Sequence, residues 1–226
     1  MTSYGQFCPV AKAMEVLDER WTMLIVRELL SGSSRFNELR RGLPRMSPAL
    51  LTTRLRSLER VGLVRRSMNG GHASYELTKP GLELRDVVQS LGLWGLRWIG
   101  ELGEKDLDPH LLFFDISRTI SLDDWPRSRT VSEFHFSDVA GPAARWWFIV
   151  SADEVDVCDY DPGFEVAATM LTSLLTLTRL WRGDIVWSRA AGAGDISVIG
   201  PEHVRRSVPQ WLGQMSLAQL SQTRDD

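Results

Sequence analysis

Residues 47–66 (SPALLTTRLRSLERVGLVRR) constrain the fold more than any other part of this chain. Ser47 is a good N-cap, and Pro48 suits the first helical position, where a missing N–H costs nothing. At about 100° per residue, Leu51, Leu55 and Leu58 fall on one side of the helix. Ala49, Thr53, Arg56, Ser57 and Arg60 fall on the other. Gly62 stops the helix, and a strand follows. The outer face is small or polar at its start and cationic further along. A helix entering a major groove needs that order, with small residues for close approach and hydroxyls and guanidinium groups for base edges and phosphates. The same pattern also describes an amphipathic helix with a solvated basic face, so the flanks decide between the two.

The flanks favour DNA. Residues 21–30 (WTMLIVRELL) read as an apolar helix, and 35–42 (RFNELRRG) as a short helix after Ser34. Helix, short helix, turn and capped helix is the helix-turn-helix order. Downstream, 63–68 and 72–77 read as strands joined by Asn69-Gly70-Gly71, a strong hairpin signal. A hairpin directly after a recognition helix is a wing. The candidate DNA contacts are Arg35, Ser47, Pro48, Ala49, Thr52, Thr53, Arg56 and Arg60. From the wing, Arg65, Arg66 and His72 reach for backbone phosphates or a minor groove.

Charge sorts the chain into halves. The whole has 26 Lys+Arg against 29 Asp+Glu, a net −3 that argues nothing about nucleic acid. Residues 31–79, however, hold ten basic and three acidic side chains, whereas 106–226 hold ten basic and eighteen acidic. A phosphate-binding half is thereby separated from one that should stay off DNA.

The first half resembles the HxlR family of bacterial winged-helix regulators. The resemblance runs through Cys8-Pro9-Val10, Arg20-Trp21-Thr22-Met23-Leu24-Ile25, Arg27-Glu28-Leu29 and Arg35-Phe36-Asn37-Glu38-Leu39. It continues through residues 47–51, Arg54-Leu55, Leu58-Glu59, Gly62-Leu63-Val64, Tyr75-Glu76-Leu77-Thr78, Gly81 and Trp94-Gly95. It implies double-stranded DNA as partner and a homodimer on an inverted repeat, with dimer contacts from the first helix and from 80–102. That last segment, read as one helix, carries Leu82, Val87, Val88, Leu91, Trp94 and Trp98, more than one buried face of a small domain requires, and a partner helix would take up the excess.

The chain has room for a second core after this module. The expected fold is α+β: a winged-helix domain over 1–105 and a smaller α+β domain over 106–226, joined near 100–109. In the second half, 110–121 reads as a helix, and 130–137, 145–151, 154–159 and 164–171 read as strands. Helical spacing follows over 171–181, then a short helix at 185–191, a strand at 195–200 and a closing helix at 201–212 containing Pro209. Six of the nine tryptophans lie here. They serve either a core or an apolar ligand site, which such side chains line with a few polar anchors. Asp161-Pro162-Gly163, Leu177 to Trp181-Arg182-Gly183-Asp184, Trp187 to Ala190, and residues 196–201 (ISVIGP) resemble a sterol-carrier-protein-like domain over 129–212. That resemblance implies a small hydrophobic effector. The candidate ligand residues are Phe114, Trp146, Phe148, Met170, Leu174, Trp181 and Trp187. The acidic run 153–161 lacks a calcium-loop pattern and reads as a solvated face.

Cys8 precedes Pro9 and so falls at the N-cap of the first helix, where partial positive charge favours a reactive thiolate. Redox sensing through Cys8 is an alternative trigger, as some HxlR-like proteins use a cysteine at this place; packing of the N-terminal arm is the plainer role. Cys158, within a strand, reads as inert. No zinc spacing, nucleophile elbow, Walker loop or dinucleotide fingerprint occurs, so no catalytic residue, metal or cofactor is expected. No apolar run is long enough for a membrane span, and the N-terminus lacks a signal-peptide core, so a cytoplasmic protein with no membrane partner is expected. The resulting expectation is a dimeric DNA-binding regulator modulated by an apolar ligand. A lipid carrier that does not read DNA is the remaining alternative.

Overall fold

Leu51, Leu55 and Leu58 are buried together in the computed structural model, which describes residues 3–69, 71–99 and 101–218. They lie on α4 (Pro48–Arg60), whose first turn is closed by Ser47 Oγ accepting from Leu50 N at 3.3 Å. Around α4 pack α2 (Thr22–Leu30), α3 (Phe36–Gly42) and the hairpin β1 (Val64–Asn69) with β2 (His72–Leu77). Ile25, Leu29, Leu39, Leu43, Met46 and Val64 complete this core. The strands pair antiparallel from Val64↔Leu77 to Asn69↔His72. The expected turn includes Gly70, which lies outside the described residues. α1 (Pro9–Leu17), α5 (Lys79–Glu83) and α6 (Arg85–Trp98) complete the helices introduced by this part of the sequence.

Two features brace α2. Trp21, its N-cap, takes a left-handed φ of 80°, a cost that L residues rarely bear, while its ring packs against the core. Glu28 is wholly buried, yet ion-paired to Arg27 and accepting from Ser33 Oγ at 3.1 Å. Arg27 also donates to Gly42 O at 3.2 Å, and a Cβ on Gly42 would fall 2.0 Å from Glu28 Oε2. The Arg27 guanidinium, paired with the buried Glu28 carboxylate, therefore ties α2 to the end of α3, and only glycine at position 42 leaves that carboxylate room.

Contacts divide the chain into two compact units, Met1–Leu96 and Arg97–Asp226. The second unit holds α7 (Pro109–Ser117), β3 (Thr130–Phe136), β4 (Arg145–Val150), β5 (Val155–Cys158), β6 (Ala168–Thr172), α8 (Leu174–Arg182), α9 (Trp187–Ala193), β7 (Ile196–Ile199) and α10 (Glu202–Leu212). Its sheet runs β5-β4-β3-β6-β7, antiparallel except for the central β3–β6 pair. Phe134, Phe136, Trp146, Phe148, Val150 and Met170 meet Phe113 and Ile116 of α7, Leu174 and Leu177 of α8, and Val208 and Trp211 of α10.

Some elements are shorter than their sequence pattern. The strand expected over 164–171 begins only at Ala168, where pairing with β3 starts at Ser132↔Ala168. Helical spacing over 171–181 becomes strand up to Thr172. α8 then starts after Ser173, whose Oγ accepts from Thr176 N at 2.9 Å, while Asp138 accepts from Leu174 N and Leu175 N. The helix expected over 110–121 stops at Ser117.

On the opposite face of the sheet, Glu133 is nearly buried beside Arg145, with His135 Nε2 at 2.8 Å and Thr169 donating at 3.3 Å. Burial opposes ionisation of Glu133, but His135 and Arg145 outweigh it and hold the carboxyl below its usual range. A carboxylate so depressed adds stability above its unfolded value of about 4.3 and loses it as pH falls through the lower folded value. Glu133→Gln should therefore be less stable than wild type at neutral pH, with the gap closing on acidification. Urea midpoints measured across that range check this; a gap independent of pH would contradict it.

Candidate nucleic-acid interface

The second half of α4 turns Arg56 and Arg60 outward, both exposed and without an ion-pair partner among the described residues. Near its start, Ser47, Pro48, Ala49 and Thr53 are exposed and Thr52 partly so. Thr52 Oγ1 donates to Pro48 O at 2.9 Å, and Thr53 Oγ1 to Ala49 O at 3.0 Å. These hydroxyls have committed their hydrogens to the helix. What they offer a base edge is a lone pair and a methyl group. Arg54 is different: it pairs with Glu19 and donates to Arg20 O at 3.3 Å, tying α4 to the segment before α2.

The wing separates its cations. Arg65 sits opposite Glu76 and pairs with it at 2.7 Å, both exposed. Such a surface pair is worth little and can be exchanged for a phosphate. Arg66, one residue on, faces the other side of the hairpin with Met68, while His72 shares the Arg65 face; both are exposed. Arg35 is exposed just before α3, where it bridges to Ser74 and where Tyr75 N donates to Ser34 O at 2.8 Å. The start of α3 is thus stitched to the wing. Glu38 reinforces it: burial pushes against ionisation, but the N–H groups of Arg35 and Ser34 hold its carboxyl below the usual range. The sequence reading left out Arg40 and Arg41, exposed in the last turn of α3. Their signal was present in the local excess of positive charge.

Six of the seven ligand candidates of the second unit meet in or against one core, Trp181 and Trp187 packing on its edge. Trp146, Phe148, Met170 and Leu174 are buried in its core, where Phe113 stacks on Trp146 at 4.8 Å and meets Phe148 edge-on at 5.1 Å. Phe114 is partly buried with the Arg118 guanidinium over its ring at 4.7 Å. Trp181 and Trp187 line a cavity of about 350 Å3. Residues Asp153, Glu154, Asp156, Asp159 and Asp161 are all exposed, and no group of His, Cys, Asp or Glu among the described residues is placed to hold a metal. Cys8 is the partly buried N-cap of α1, followed by Pro9. Burial pushes the Cys158 thiol up, away from thiolate. Among the described residues, no helix is long and apolar enough to cross a membrane.

A capped helix with free arginines outward, preceded by two packed helices and followed by a basic hairpin, defines a winged helix-turn-helix DNA-binding protein. Comparison with known proteins narrows the class. The chain belongs to the HxlR-like helix-turn-helix family, whose pattern matches residues 16–102. It is 37% identical over 99 residues to the HTH-type transcriptional regulator YvaP of Bacillus subtilis, spanning 42% of this chain and 92% of that one. The regulator sll1512 of Synechocystis is 34% identical over 98 residues, which span 42% of this chain and 73% of the relative. Among solved structures, the reduced form of YodB from B. subtilis aligns at 30% identity over 42% of this chain and 97% of its own, with a TM-score of 0.37. The redox regulator HypR in its reduced form aligns at 30% over 41% and 95%, with a TM-score of 0.39. The protein is a transcriptional regulator of this type.

Proposed function

We propose that the protein is a cytoplasmic homodimer that binds an inverted-repeat operator and is modulated by a small apolar ligand in its second unit. The exposed, unpaired Arg56–Arg60 face of α4 carries this reading. It offers guanidinium groups to bases and phosphates without first breaking an ion pair. The dimer is supported by α1 and α6, neither of which buries a residue in one chain. Val10 and Met14 on α1, and Val87, Leu91 and Trp94 on α6, stand exposed. A sterol-carrier-like second unit is consistent with a five-stranded sheet carrying helices against its aromatic face. Ligand would act by population shift: recognition helices about 34 Å apart meet successive major grooves, and a small change in their placement lowers affinity.

Arg56→Ala should weaken binding to the preferred operator and relax base preference, by about 1–3 kcal/mol if the contact to guanine is bidentate. Competition binding against a library of single-base operator variants reads both quantities. Unchanged affinity and preference would remove Arg56 from base readout.

A second reading rests on Cys8. It occupies the N-cap of α1, beside the apolar face assigned to the dimer, and the relative HypR is described as a redox regulator. Oxidation would then bridge or cap Cys8 and alter the dimer. A Cys8→Ser protein whose DNA affinity still answers oxidant would exclude it.

A further inference from the structure

The three arginines of α4 serve different ends. At about 100° per residue, Arg56 and Arg60 fall about 140° and 180° around the helix from the buried Leu51, whereas Arg54 falls only about 60° away. Arg56 and Arg60 are exposed, but the Arg54 side chain is 19% exposed. Its guanidinium pairs with Glu19, and its Nε–H donates to Arg20 O at 3.3 Å. Both partners lie in the short joint, Asp18 to Trp21, between α1 and α2. That joint is braced. Asp18 N donates to Met14 O at 2.9 Å and Thr22 N to Glu19 O at 3.0 Å. Trp21 turns the chain through its left-handed backbone, its ring packed against the core and the Arg20 guanidinium 5.4 Å from the ring centre. α1 buries no residue within one chain, so the joint, rather than packing against the core, sets its direction.

We propose that Arg54 is a positioning residue for operator binding: it fixes the recognition helix to the α1–α2 joint, so that in a dimer held in part through α1 this clamp sets the separation of the two α4 helices. The inference rests on the reading that the protein binds an inverted repeat as a homodimer, and it names what sets the half-site spacing. An ion pair whose carboxylate is half exposed adds little to stability, so its use here is geometric. The planar guanidinium engages a side chain and a main-chain carbonyl at once, which fixes direction as well as distance. Direction matters on DNA. One extra base pair in the spacer moves a half-site by about 3.4 Å and turns it by about 34° around the duplex. Clamped recognition helices cannot follow that change, whereas helices free to pivot can.

The test compares the wild-type chain, Arg54→Met and Glu19→Ala on the inverted repeat that the wild type enriches from random-sequence duplexes. Copies of that duplex with one base pair added to or removed from the spacer are measured alongside. The wild type should discriminate sharply between spacings. Both variants should remain folded dimers, bind the original spacing about three- to thirtyfold more weakly and lose most of the discrimination against altered spacers. The exchange Glu19→Arg/Arg54→Glu rebuilds the ion pair and should restore part of that discrimination. An Arg54→Met protein that discriminates as sharply as wild type would overturn the proposal, whatever its affinity. So would a salt slope lower by about one in Arg54→Met but not in Glu19→Ala, which would make Arg54 a phosphate contact. If Arg54→Met fails to fold, Glu19→Ala decides, since Glu19 is about half exposed. A wild type that enriches no inverted repeat removes the operator reading and this proposal together. Wild-type discrimination that survives both substitutions removes only the proposal.

Discussion

Leu91→Glu is expected to leave the fold of each chain intact, convert the proposed dimer to monomers and reduce operator affinity by about 10²- to 10⁴-fold. Val87, Leu91 and Trp94 are spaced by four and three residues, so they form one stripe along α6, and each is about half exposed in the single chain. A glutamate at the centre of that stripe remains solvated in a monomer, which has nothing to lose. In a dimer packed through α6 the same carboxylate would be stripped of water against apolar side chains without a partner. Operator affinity should follow because two linked half-sites gain an effective concentration that a monomer lacks. Sedimentation equilibrium and binding to a full operator, read on the same preparation, decide the matter. A dimer of unchanged strength would place the interface elsewhere.

Arg27→Met is expected to cost about 3 kcal/mol or more in the stability of the first unit. Methionine keeps the apolar stem and removes the charge that faces Glu28. Glu28 is wholly buried, whereas Arg27 is about one-third exposed, so the two partners are not equivalent. Loss of Glu28 leaves a cation that can reach water; loss of Arg27 takes one counter-charge from a wholly buried carboxylate, the costlier of the two. The double variant Arg27→Met/Glu28→Gln should recover part of the loss, since the neutral amide no longer carries a buried charge. Chemical denaturation of the four proteins of this cycle reads the coupling. Additive effects of the two substitutions would show that the pair does not hold α2 to α3.

The first unit was legible because its signals are local. Ser47-Pro48 starts α4, the 4-3 spacing of Leu51, Leu55 and Leu58 sets its buried side, and two β-prone runs around an Asn-Gly turn make the wing. Where the cause is tertiary, the pattern misleads. Residues 80–102 read as one helix, but α5 and α6 are separated at Leu84. At Gly81 the backbone passes so close to Leu63 O that an added Cβ would sit 2.2 Å from it, so packing against β1 fixes where α5 lies. In the second unit, α8 is capped partly by Asp138, 36 residues upstream of Leu174, a partner no local window contains. Leu171 and Thr172 satisfy helical and strand patterns alike, and pairing with β3 selects strand. Composition could not separate core aromatics from cavity aromatics either. The register Phe134↔Trp146 and Ser132↔Phe148 turns those rings into the closed interior, while Trp181 and Trp187 reach the cavity.

The central claim is that a homodimer reads a specific DNA sequence through α4. Fluorescence anisotropy of the purified protein against fragments of its own upstream region, over a salt series with excess non-specific competitor, tests it most directly. Tight, competitor-resistant binding to a fragment with an inverted repeat is expected, weakening as salt rises because phosphate contacts release counterions. Equal, weak binding to every genomic fragment, unaffected by Arg56→Ala, would contradict it.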